Sequence, residues 1–163
     1  MTYPPALYHG EGGEISALHR PDDTPPELVY PNGTRVHYLA TGASTGGLFG
    51  LYRWECGPGV TGPDPHFHRS LTESFYILDG TMSIYDGERW IAAEPGDWVH
   101  VPVGGIHAFK NRSGAPVKML LHFSPGAPRE GYFEGLTELA QMSDEERVAF
   151  YLEHDNLWLP DQG

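Results

Sequence analysis

Between Thr34 and Phe123 the chain never runs far without a turn, and this rhythm restricts its fold more than any other property. Short runs rich in β-branched and aromatic residues fill the stretch: Thr34–Thr41, Gly47–Cys56, Glu73–Leu78, Met82–Tyr85, Arg89–Ala93, Trp98–Val101, His107–Asn111 and Val117–Phe123. Turn pairs separate them: Asp79-Gly80, Asp86-Gly87, Pro95-Gly96, Gly104-Gly105 and Ser113-Gly114. Glycine supplies the positive φ that tight turns require, and proline cannot donate into a continuing ladder. Several short strands at near-even spacing make a sandwich or a barrel, so the fold class is all-β. The 21 glycines and 15 prolines follow no period and are interleaved with aromatic and aliphatic residues, which excludes collagen-like and low-complexity readings.

The flanks read differently. In residues 1–33, Pro4, Pro5, Pro21, Pro25, Pro26 and Pro31 deny a long helix or a central strand, which leaves an irregular arm. Residues 34–125 hold the strands. In residues 126–163, Tyr132, Phe133, Leu136, Leu139 and Ala140 recur at helical spacing. Ser143-Asp144-Glu145-Glu146 then has the form of a capping box, and it predicts a helix over 144–155 with Val148, Tyr151 and Leu152 on the buried face. At 163 residues, without an internal repeat, this is one domain.

Acidic residues outnumber basic ones 22 to 10, a net charge of −12 that repels phosphate backbones and anionic lipid heads. Neither nucleic acid nor membrane is an expected partner. The lone Cys56 has no intrachain partner and no neighbouring base, so neither a disulfide nor a nucleophile is expected of it. The first residues lack a basic patch and an apolar run, and the expected location is the cytoplasm.

Chemistry concentrates in two segments. In the first, His66-Phe67-His68 puts two imidazoles on one face of a strand, since side chains at i and i+2 share a face; Glu73 opens the next run, and Gly80 follows in a turn. In the second, Gly96, Pro102, Gly104, His107 and Asn111 place a third histidine at the mouth of a glycine-rich loop. A lone strand histidine is usually structural. Three imidazoles and a carboxylate are costly to gather without an ion, so His66, His68, Glu73 and His107 are the candidate metal ligands. His37, His100 and His122 read as ordinary strand residues, and His9, His19 and His154 carry no signal.

These segments resemble the paired motifs of the cupin superfamily. The second matches the family pattern G-x5-P-x-G-x2-H-x3-N at every fixed position, and the first matches from His66 through Gly80. The leading glycine of the first motif is replaced by Val60, with Gly59 and Gly62 nearby. Fifteen residues between Gly80 and Gly96 is the short spacing of compact bacterial cupins, and the segment after Phe123 is similar to that of quercetinase-type members.

The resemblance implies a jelly-roll β-barrel with an N-terminal arm and one or two C-terminal α-helices. It also implies one divalent transition metal, Fe, Mn, Ni, Co or Zn, on the four ligands. In quercetinase-type cupins the glutamate also takes a substrate proton, which makes Glu73 the candidate catalytic residue. Strand parity points Tyr52, Trp54, Phe75, Ile77, Phe109, Met119, Leu121 and Phe123 inward, and Phe133 belongs to a helix that can lie over the barrel mouth. Such a lining suits a small planar substrate. A dioxygenase acting on an aromatic or enolic compound such as a flavonol is the leading expectation. A redox-neutral polyketide cyclase or isomerase, working with zinc and without oxygen, and a non-catalytic metal- or small-ligand-binding module are the alternatives. The arm is expected to cross to a second copy, giving a homodimer.

Overall fold

Antiparallel pairing takes up the short runs almost one for one. The computed structural model describes residues 1–159. Its strands are β1 (Leu28–Val29), β2 (Arg35–Ala40), β3 (Gly50–Cys56), β4 (His66–Phe67), β5 (Thr72–Asp79), β6 (Met82–Tyr85), β7 (Trp90–Ala93), β8 (Trp98–Val101), β9 (Ala108–Lys110), β10 (Val117–Ser124) and β11 (Leu157–Trp158). A six-stranded sheet runs β1-β2-β3-β10-β5-β8, a three-stranded sheet runs β7-β6-β9, and β4 pairs with β11. Side chains from the two larger sheets meet in one core, Met82, Ile84 and Phe109 from one and Tyr52, Phe75 and Leu121 from the other. This is the jelly roll.

Burial along β3 and β10 alternates residue by residue, the period of a strand with one face on a core. The register carries that alternation across the sheet: Tyr52 opposes Leu121, which opposes Phe75, and Trp54 opposes Met119, which opposes Ile77. Phe123 opposes Glu73 at the end of the same inward rows. A carboxylate therefore stands at the open end of an otherwise apolar interior.

On the outer face of the sheet, Glu55 forms ion pairs with Arg35, Arg53 and Lys118 and lies 3.6 Å from His37. The arm reaches over this cluster, where Asp22 pairs with Arg53. Arg53 and Glu55 are thus partly covered on the outer face of the sheet. The arm is irregular as far as Glu27, but Leu28–Val29 pairs with Val36 and Arg35 and joins the sheet as its edge.

Beyond the barrel come α1 (Arg129–Gly135), a 3-10 turn (Leu136–Gln141) and α2 (Asp144–Glu153). Ser143 caps α2 through the expected reciprocal box with Glu146. The buried face of α2 is the expected one only at Tyr151. Val148 and Leu152 are exposed, while Arg147, Phe150, Tyr151 and His154 turn inward. The reason is what the helix packs on: Phe150 stacks on Tyr132 of α1 at 5.6 Å, and Tyr151 meets Trp158 of β11 at 5.1 Å.

Candidate metal centre and its cavity

Two backbone hydrogen bonds join the ligand-bearing segments. His66 N donates to His107 O at 3.0 Å, and His107 N donates to His66 O at 2.9 Å. This reciprocal pair fixes two ligand residues directly opposite each other, with imidazole centroids 4.3 Å apart. Gly104 N donates to His68 O at 2.8 Å and ties the glycine-rich loop to the third. Asn111, which closes the second motif, has a different task. Its amide donates to Gly57 O and Ala115 O, and its Oδ1 accepts from Ser113 N and Ser113 Oγ, so it pins the loop before the ligands to the β9–β10 turn.

The leading glycine missing at Val60 reappears at Gly62. There φ is +124°, and a Cβ would lie 1.9 Å from Phe109 O, so only glycine fits. Val60 itself is exposed.

His66, His68, Glu73 and His107 are all buried, and one ligating atom from each lies within 4.8 Å of the others. The hydrogen bonds of the rings assign their protons. Nδ1 of His66 donates to Asp64 O at 2.8 Å, Nδ1 of His68 to Asp155 O at 2.6 Å, and Nδ1 of His107 to Gly105 O at 3.0 Å. Each ring then keeps its Nε2 lone pair for the centre. At His68 and His107 that lone pair faces Glu73 Oε2, at 3.1 and 2.9 Å. A lone pair facing a carboxylate oxygen is relieved by a cation, either a proton on Nε2 or a metal ion, and only a divalent metal serves all four groups at once.

The electrostatics show a carboxylate that draws positive charge, whether a proton or a metal ion, toward these rings. Burial, reinforced by His107, pushes His66 down to about 3, so it is neutral near pH 7. Burial alone would raise Glu73, but the hydrogen bonds and charges of His107 and His68 outweigh it and hold the carboxyl well below the usual carboxylate range. Burial likewise pulls His107 down, and its hydrogen bond to Glu73 and the carboxylate's charge carry it up instead.

A cavity of about 460 Å³ opens directly on this centre, with His66 and Glu73 in its wall. Of the side chains expected in a pocket, Trp54, Phe109, Leu121, Phe123 and Phe133 line it. Tyr52, Phe75, Ile77 and Met119 do not; they are fully buried filler. Parity sent all of them inward, but inward includes both packing and lining. Ile77 and Met119 oppose each other farther along the strands from Glu73, Phe75 packs against His107 and Phe109, and Tyr52 is held by Tyr38, Phe123, Phe133 and a hydrogen bond to Glu130.

The rest of the wall comes from Tyr30, Pro31 and Asn32 of the arm, from the loop of residues 61–64 and from the C-terminal segment. Arg129, Tyr132, Leu136, Leu139, Tyr151 and Trp158 close one side of the cavity. Trp158 pairs with His66 across β11 and β4, and its ring lies 5.2 Å from the imidazole. The usable signal for this was an arginine just after Pro128 and before two aromatics, which is a helix start and nothing more.

A family model described as "Cupin domain" matches residues 52–123. Quercetin 2,3-dioxygenase of Bacillus subtilis is 38% identical over 45 residues, 28% of this chain and 13% of that protein. Polyketide synthase CurC of Streptomyces cyaneus is 28% identical over 107 residues, 64% of this chain and 66% of that protein. The chain therefore spans less than two thirds of each of these relatives. Among solved structures, a protein from Thermotoga maritima described as a predicted oxalate decarboxylase superposes with a TM-score of 0.59 at 18% identity, covering 67% of this chain and 99% of that one. The matched segment carries all four clustered ligands, and in this part the chain is similar to the cupin superfamily in fold, motif and sequence model.

Proposed function

We propose that this chain is a metal-dependent dioxygenase acting on a small aromatic or enolic substrate such as a flavonol. The observation that carries the reading is the cavity, which sets an aromatic wall directly against His66 and Glu73. The 45-residue likeness to the quercetinase supports it. A redox-active ion on the four ligands would supply Lewis acidity and a place for dioxygen beside the substrate.

The chain's own residues have separable tasks. The three histidines, each anchored at Nδ1, hold their rings in fixed orientation. Glu73 faces both imidazoles with Oε2, and its Oε1 takes no hydrogen bond from the described residues, leaving a carboxylate oxygen at the cavity to accept the substrate hydroxyl proton. Trp54, Phe109, Phe123 and Phe133 hold a planar ring and exclude water.

The test is turnover of flavonols, catechols and enediols, with and without oxygen, by protein loaded separately with Fe, Mn, Ni, Co and Zn. Oxygen uptake that disappears in Glu73→Gln supports the proposal. Turnover by the zinc form under nitrogen replaces it with a redox-neutral cyclase or isomerase, the reading favoured by the longer likeness to CurC. No turnover under any condition leaves a binding module.

We also propose that the chain works as a homodimer. Tyr3, Leu7, Ile15 and Leu18 of the arm are 80–110% exposed on a single chain, and a second barrel would cover them. A monomeric sedimentation profile at micromolar concentration would overturn this.

A further inference from the structure

A buried arginine normally sits against a carboxylate. Arg129 is 4% exposed and lines the cavity, yet no aspartate or glutamate of the described residues lies within ion-pair distance of it. Its protein partners are neutral oxygens: Nη1 donates to His154 O at 2.7 Å, and Nη2 donates to Asn156 Oδ1 at 3.2 Å. A guanidinium has five N–H donors, so three remain without a protein acceptor, and Nε is buried with none. Aromatic rings hold the group in place, with Tyr132, Phe123 and Phe133 centroids at 4.3, 5.1 and 5.7 Å from Cζ.

Two further donors without partners belong to the same cavity wall. The indole N–H groups of Trp54 and Trp158 are both buried and have no partner among the described residues. Arg129 Nε and the two indole nitrogens are three of the seven buried side-chain polar atoms without a partner among the described residues, and all three belong to residues that line this one space. Buried donors without acceptors are costly, and a ligand that brings oxygen atoms relieves the cost.

We propose that Arg129 is the specificity-determining residue of this cavity and receives the carboxylate of a planar aromatic ligand, with Trp54 and Trp158 as accessory donors. The inference rests on the reading of the cavity as a substrate site, narrows its substrate class to aromatic acids, which a flavonol is not, and is independent of which reaction follows. Guanidinium and carboxylate match as a two-pronged pair, and the ring of such a ligand would lie among the aromatics that already frame Arg129.

The test is calorimetric titration of 2-naphthoate and its neutral methyl ester into metal-stripped and zinc-loaded protein. Wild type is expected to bind the acid about tenfold or more tightly than the ester in both forms. Arg129→Met should bind the two within about twofold of each other while keeping the ester's affinity, and Arg129→Lys should fall between. A role limited to tethering the C-terminal segment would weaken acid and ester alike. Equal affinity of acid and ester for wild type overturns the proposal, and that comparison needs no variant to fold. So does a preference that survives in Arg129→Met, a preference confined to the zinc form, or no binding of either compound at millimolar concentration. A preference in stripped protein that fails to load any metal keeps the proposal and removes the metalloenzyme reading. Metal loading and turnover without the preference do the reverse.

Discussion

His68 donates its Nδ1 proton to the backbone carbonyl of Asp155, 87 residues farther along the chain, at 2.6 Å. Asp155 follows the end of α2 with φ at +53°, a left-handed conformation that helix C-termini use and that Asp tolerates better than most residues. Its carboxylate accepts from Arg69 N, Ser70 N and Ser70 Oγ, so one residue clamps the C-terminal segment to the loop that follows His68 and orients the imidazole as well. The C-terminal helices therefore belong to the candidate metal centre.

Replacing Asp155 with Ala should loosen that imidazole without touching a ligand. The variant loses the carboxylate's hydrogen bonds and places Ala at positive φ. Metal affinity is expected to fall by about 10–100-fold, the usual effect of losing an orienting partner of a ligating histidine. Competition against a chromophoric chelator measures it, and unchanged affinity would show that the barrel alone orients His68.

Metal loading should stabilise the fold. An ion that binds only the folded chain, at about 100 times its Kd, adds about 2.7 kcal/mol. For a domain of this size that is a rise in Tm of roughly 5–10 °C. A chelator should reverse the shift, and His66→Ala should abolish it, because His66 is one of the clustered ligands. Scanning calorimetry with and without Zn or Co decides the matter. A shift that persists in the variant would place the ion elsewhere.

Asn111 gives a stability prediction with a sign in pH. It is fully buried and donates to two backbone carbonyls, Gly57 O at 2.7 Å and Ala115 O at 2.8 Å. Asn111→Asp preserves shape but turns those donors into a carboxylate oxygen facing carbonyl oxygens. Burial and these acceptors raise the folded pKa of the new group above its unfolded value, so the variant keeps most stability at low pH, where the acid is protonated. It loses stability as pH rises through and beyond the unfolded value. Near pH 7 the loss should be about 3–5 kcal/mol, exceeding the roughly 2–3 kcal/mol of Asn111→Ala. Urea unfolding at pH 5 and 7.5 checks both the order and the sign.

These cases mark how far the sequence could be read. The barrel was legible because turn pairs and period-2 patterning are local, and the ligands because His66 and His68 share a strand face beside two spaced motifs. β4 and β11 were not, since strands of two residues carry no pattern and their pairing joins Phe67 to Leu157 across most of the chain. Parity could not separate Phe75, which fills the core, from Phe109, which lines the cavity, because both point inward. Arg129 and Trp158 were invisible for a related reason. What makes them functional is the lack of a partner for their donors, and a missing partner leaves no trace in the order of residues.

The glycine missing from the leading position of the first motif offers a paired test. Gly62 adopts φ +124° and lies so close to strand β9 that an added Cβ would meet Phe109 O at 1.9 Å. Both the backbone conformation and the contact exclude a side chain, so Gly62→Ala should cost about 2–4 kcal/mol. It should also disturb the cavity, which Gly62 and Phe109 both line. Val60, at the motif's usual glycine position, is 75% exposed, so Val60→Gly should restore nothing and change stability by only about 0.5 kcal/mol. Denaturant midpoints of the two variants decide between them. If Val60→Gly stabilises the chain, or Gly62→Ala leaves it unchanged, the loop before His66 does not turn at Gly62 and the glycine has not moved along the motif.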